Sequence, residues 1–97
     1  MKNKIVLITG GNSGIGKATA IGIAKTGATV IIACRNKERG EQAVADIKKA
    51  GGNDHVELLL MDLASQKSVR AAVAEFKSRY TQLHVLINNA AVFLGKR

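Results

Sequence analysis

The chain has 97 residues, 46% of them hydrophobic and 23% charged, with a formal net charge of +8. That length suits one domain with a modest core, and the balance is that of an ordinary globular chain. No apolar run nears the ~20 residues that a membrane-spanning helix needs. The single cysteine, Cys34, excludes an internal disulfide framework and any metal centre built on several thiolates.

A strand-like run beginning at Lys4 leaves no room for a signal peptide. With the lone thiol, this leads us to expect a cytoplasmic protein. The positive charge raises the question of nucleic acid. However, the fifteen Lys and Arg are scattered, and their only adjacent pairs are Lys48-Lys49 and Lys96-Arg97. Aromatics are only 3%, which leaves little on which bases could stack. Neither a nucleic-acid nor a membrane partner is expected, and the charges read as solvated helix faces.

In chain order, residues 4–9 form a continuous apolar run of the kind found in strands covered on both faces. Residues 13–26 read as a helix stopped by Gly27. A second strand covers 29–33. A second helix runs from the N-cap Asn36 to Ala50, with Ala43, Ile47 and Ala50 on one face, and Gly51-Gly52 ends it. A third strand covers 56–61. Ser65 caps a third helix on which Val69, Val73, Phe76 and Tyr80 recur at helical spacing, and a fourth strand covers 83–87.

This alternation predicts an α/β fold, a doubly wound parallel sheet of Rossmann type cut to βαβαβαβ, with residues 1–97 as one unit. Right-handed crossovers give the strand order 3-2-1-4, with the ligand-binding switch point between strands one and four. Strand four would then be an apolar edge open to pairing, so a homo-oligomer is expected.

Between the first strand and first helix lies Thr9-Gly10-Gly11-Asn12-Ser13-Gly14-Ile15-Gly16. Glycine is needed at such a junction for three reasons: a tight turn at Gly10, close backbone approach to a pyrophosphate at Gly14, and close helix–sheet packing at Gly16. The amides at the helix start then face the phosphates. Lys17 reads as a solvated first-turn lysine.

The stretch Thr9 to Gly16 resembles the T-G-x-x-x-G-x-G signature of the short-chain dehydrogenases/reductases. The resemblance continues through Asp62-Leu63 and Asn88-Asn89-Ala90 at the family's spacing, and Ala33-Cys34-Arg35-Asn36 is similar to its retinol-dehydrogenase-like branch. The resemblance implies the following roles. Thr9 bonds within the loop, while Gly10, Asn12, Ser13, Gly14, Ile15 and Gly16 line the pyrophosphate and ribose. Asp62 and Leu63 border the adenine, and Asn88, Ala90 and Ala91 lie along the riboses. Ala91 departs from the family's usual glycine.

At the end of the second strand an NAD site places a carboxylate that binds the ribose 2′-OH and repels a 2′-phosphate. Here that position is the neutral Cys34, followed by Arg35, whose fork suits a phosphate, with Asn36 and Ser13 as further donors. NADP is the expected cofactor, with NAD as the lesser alternative. A competing reading of Arg35 pairs it with Glu38 at the surface. Cys34 reads as a small buried hydrophobe.

The family's Tyr-x-x-x-Lys pair does not occur in these 97 residues, where the one tyrosine, Tyr80, is followed four places later by His84. His55 and His84 read as strand-start residues, and no catalytic or metal-binding residue is expected here. The resemblance therefore implies the cofactor-binding part of an NADP(H)-dependent oxidoreductase. Its substrate would be a small-molecule carbonyl or alcohol. The alternative is a non-catalytic NADP-binding module or sensor.

Overall fold

Short, largely apolar runs of five or six residues, β-branched in the first two, become the strands β1 (Ile5–Thr9), β2 (Thr29–Cys34) and β3 (Val56–Leu60). A shorter strand, β4, spans Val85–Asn88. Between them lie α1 (Gly14–Ala24), α2 (Lys37–Gly51) and α3 (Gln66–Arg79). The computed structural model describes residues 3–10, 14–62 and 64–88, without the side chain of Asn88. All pairings are parallel and the order is β3-β2-β1-β4, so the doubly wound architecture expected from the sequence is the one observed.

Because side chains alternate across a strand, each face of the sheet collects its own core. Val6, Ile8, Val30, Ile32 and Val56 pack with Ala20 and Ala24 of α1 and Ala43 and Ile47 of α2. Ile31, Ala33 and Leu59 pack on the other face with Ala72 of α3. Full burial of each large aliphatic such as Ile8, Ile32 or Ile47 contributes roughly 1.5–3 kcal/mol. The buried stripe of α1 is Gly16, Ala20 and Ala24, all small, which lets that helix lie close to the strands.

The helix caps follow the sequence. The Asn36 side chain accepts from the Arg39 amide, the Ser65 side chain accepts from the Ser68 amide, and Gly52 closes α2 in the left-handed region at φ 61°. Asn53 then ties three segments together. Its Nδ2 donates to the carbonyls of Ala24 (2.9 Å) and Ala28 (2.8 Å), while its Oδ1 accepts from the His55 amide (2.7 Å).

Five expectations need correction. The first helix ends at Ala24, because the amides of Thr26 and Gly27 turn back to the carbonyls of Ile23 and Ala24 in a tighter turn. Ala50 is exposed, and Gly40 takes its place beside Ala43 and Ile47 on the buried face of α2. Lys17 is not simply solvated, since its Nζ stands 2.8 Å from Asp46 Oδ2 and links α1 to α2. On α3 the smallest apolar residue, Ala72, sits deepest, whereas Val73 is 44% exposed. The helix axis lets its apolar stripe overhang a groove of about 480 Å3 beside Leu7, Leu83 and Leu86. Finally, β4 begins at Val85 rather than Leu83, because His84 makes the first link to β1 partly through its side chain. The imidazole Nδ1 accepts from the Ile5 amide at 3.0 Å, and the His84 amide donates to the Ile5 carbonyl at 3.0 Å.

Candidate functional site

Parallel pairing in register brings the carboxyl ends of the four strands to one edge of the sheet. Thr9 lies opposite Ala33 on one side and Asn88 on the other, and Cys34 lies opposite Leu60. The segments that follow, Gly10, Arg35-Asn36, Met61-Asp62 and the start of α1, are therefore gathered along that edge. Loops across the edge tie it down: the Gly10 amide donates to the Ala33 carbonyl at 2.9 Å, and the Met61 amide donates to the Cys34 carbonyl at 2.9 Å. Thr9 is buried, with its hydroxyl 3.5 Å from the Ile87 carbonyl.

The glycines of the loop differ in what they do. Gly10 has φ 68°, a conformation that glycine adopts without strain and that turns the chain out of β1. Gly16 is buried on the packed side of α1. Gly14 meets neither condition: its φ is not positive, and a Cβ placed on it would find nothing within 4 Å among the described residues. Packing among those residues does not call for glycine there. An open cradle at the first turn of a helix, whose amides face outward, fits an anionic group pressed against the backbone. Beside it Ile15 is 79% exposed, an apolar wall next to that opening.

At the end of β2, Arg35 is exposed and makes no ion pair among the described residues, so the pairing with Glu38 does not form. Cys34 is 8% exposed, and burial pushes its thiol above the ordinary value of 9.0, opposed by a hydrogen bond from the Asn36 backbone; the protonated thiol lies 3.4 Å from the Asn36 carbonyl, to which it donates. It is the small buried residue expected. The Asp62 carboxylate uses Oδ1 to accept from the Ala64 amide at 2.9 Å, while its own amide donates to Ser68 Oγ at 2.8 Å. These bonds fix the turn into α3 and leave Oδ2 uncommitted among the described residues.

Thus Thr9, Gly10, Gly14, Ile15, Gly16, Arg35, Asn36 and Asp62 are brought to one edge, with the backbone of Asn88. Asn12, Ser13, Leu63, Ala90 and Ala91 lie outside the described residues.

Residues 4–97 match the family model for short chain dehydrogenase. The chain belongs to that family. It is 50% identical over 91 residues to the bovine dehydrogenase/reductase SDR family member 12, covering 94% of this chain and 28% of that protein. Bovine retinol dehydrogenase 12 is 47% identical over 91 residues, covering 94% and 29%. Among solved structures, an L-sorbose reductase from Gluconobacter frateurii complexed with NADPH and L-sorbose superposes with a TM-score of 0.82 at 34% identity. That match covers 92% of this chain and 34% of the other. The chain thus spans less than a third of the length of these two curated relatives.

Sequence reading missed the part played by Gly40. A Cβ there would stand 2.5 Å from Leu58 Cδ1 and 2.8 Å from Cys34 Sγ. The available signal was a glycine inside an otherwise helical stretch, which costs about 1 kcal/mol relative to alanine and so calls for a reason.

Proposed function

We propose that this chain forms the cofactor-binding part of an NADP(H)-dependent oxidoreductase that interconverts a carbonyl and an alcohol. The observation that carries the reading is the convergence at one sheet edge of the Gly14 cradle and the Arg35 guanidinium, which has no ion pair among the described residues. Amides at the start of α1 would hold the pyrophosphate, and Arg35 the phosphate on the adenosine ribose. Asp62 Oδ2 would accept from the adenine amino group. The bound nicotinamide supplies hydride transfer. Support for this chemistry comes from the family and from the NADPH-bound L-sorbose reductase.

Tyr80 does not serve as a proton donor in this reading. Its hydroxyl is committed to Glu57 Oε2, toward the amino ends of the strands and away from the cradle.

Calorimetric titration of NADP and NAD against the wild type and Arg35→Ala tests the proposal. A charge-assisted hydrogen bond from Arg35 should favour NADP by about 10- to 100-fold, and Arg35→Ala should bring the two cofactors close to parity. Equal affinities in the wild type would refute the choice of NADP. Binding of neither would refute the dinucleotide site itself.

A further inference from the structure

We propose that Gly40 is a positioning residue for cofactor selectivity: the missing side chain lets the first turn of α2 sit down on Cys34 and Leu58, which sets where Arg35 stands. The inference rests on the NADP reading above and adds a determinant outside the glycine loop and outside Arg35 itself.

Gly40 is buried in α2, four residues after the N-cap. Its amide donates to the Asn36 carbonyl at 2.9 Å, and the same carbonyl receives the Cys34 thiol at 3.4 Å. One oxygen atom thus joins the end of β2 to the first turn of α2, and Arg35 is the residue between them. A Cβ on Gly40 would meet Leu58 Cδ1 at 2.5 Å, Cys34 Sγ at 2.8 Å and Leu58 Cδ2 at 3.0 Å. These atoms come from two adjacent strands, so rotating one side chain away does not relieve the other. The thiol is also held by its bond to Asn36. Unless Leu58 and Cys34 both swing away together, the first turn of α2 must lift, carrying Asn36 and Arg35 with it. A guanidinium that must reach a phosphate is sensitive to such a shift, because charge-assisted hydrogen bonds weaken quickly with distance and angle.

Gly51, at the other end of α2, provides the control. A Cβ there would meet Ala24 Cβ at 2.7 Å, an equally tight contact made with α1 and remote from Arg35.

The experiment measures NADP and NAD affinities of the 97-residue chain as wild type, Gly40→Ala, Gly51→Ala and Gly40→Ala/Leu58→Val. We expect the NADP-to-NAD preference to fall about tenfold in Gly40→Ala, the equivalent of one charge-assisted bond. The preference should recover part-way in the double variant, where the Leu58 Cδ contacts are gone and the thiol contact remains. Gly51→Ala should lower the melting temperature and keep the wild-type preference. Three results would overturn the proposal: an unchanged preference in folded Gly40→Ala, an equal fall in Gly51→Ala, or a double variant no better than the single. Should Gly40→Ala not fold, the double variant is read instead, and a lowered preference supports the proposal while a wild-type one overturns it. A wild type that does not prefer NADP refutes the parent reading rather than this one.

Discussion

The hydroxyl of Tyr80 donates to Oε2 of Glu57 across 2.5 Å, while Arg79 holds the other carboxylate oxygen at 2.9 Å. Tyr80 also lies against Phe76, with ring centroids 5.3 Å apart. Desolvation first, and then the bond to Glu57, push the phenol from its ordinary 10.0 up to about 12. Its folded-state value is the higher one, so its contribution to stability is whole below about pH 10 and drains away as the pH climbs toward 12. As the chain has one tyrosine and no tryptophan, phenolate absorbance reports this group alone. We expect a midpoint near 12 in the folded chain, returning to the ordinary value in urea. A folded-state midpoint at the ordinary value would show that the bond does not hold in solution.

Glycine-to-alanine changes in α1 and α2 should have opposite signs. At Gly22 a Cβ meets nothing within 4 Å, so alanine should stabilise by about 0.5–1 kcal/mol through helix propensity alone. At Gly51 the obstructing atom is Ala24 Cβ, which is fixed to the backbone and cannot rotate away. The helices must part there, at a cost of about 1–3 kcal/mol. Urea denaturation of the two variants checks the pair, and a stabilising Gly51→Ala would contradict the close approach of α1 and α2.

Asn53 is a second place where one side chain does the work of several backbone partners. Removing its amide in Asn53→Ala or Asn53→Asp takes the side-chain donor from the Ala28 carbonyl and one of two donors from the Ala24 carbonyl, which keeps the Gly27 amide. We expect about 1–3 kcal/mol of destabilisation from either change. A loss under a few tenths of a kcal/mol in denaturant melts would mean that water replaces the amide.

The Lys17–Asp46 bridge should matter little and should depend on salt. Both side chains are more than a third exposed, and Gln42 also donates to Asp46, at 3.1 Å. The bond from Lys17, and after it the bond from Gln42, hold the Asp46 carboxyl below its ordinary 3.8. Its folded-state value is depressed, so its contribution is present above pH 3.8 and fades as the pH falls below that. Lys17→Met should lower the melting temperature slightly in low salt and hardly at all in high salt. The same change in both would point to lost packing of the lysine stem instead.

Gly14→Ala separates folding from ligand binding. Open space around the added Cβ predicts an apo chain at least as stable as wild type, because alanine favours the helix. The same methyl stands in the cradle proposed for the pyrophosphate, so the thermal shift produced by saturating NADP should shrink or vanish. An unaltered shift would move the phosphate away from Gly14.

The order of elements, the parallel sheet and the caps at Asn36, Ser65 and Gly52 were legible in the chain. They depend on local chemistry: apolar runs bounded by turn residues, and side chains that satisfy amides a few positions away. The placement of Gly10, Gly14, Gly16 and Arg35 where strands end was legible for the same reason. Contacts between segments far apart in sequence were not legible. Nothing local foretold that Asp46 would claim Lys17, that the His84 ring would stand in the β1–β4 ladder, or that Ala72 would be buried while Val73 was not. Those outcomes depend on helix axes and strand registers, which are decided when whole faces pack together. Gly40 shows the boundary between the two. Its cost within a helix is written in the sequence, but its reason, a thiol and a leucine from two strands meeting at one point, exists only once the helix lies on the sheet.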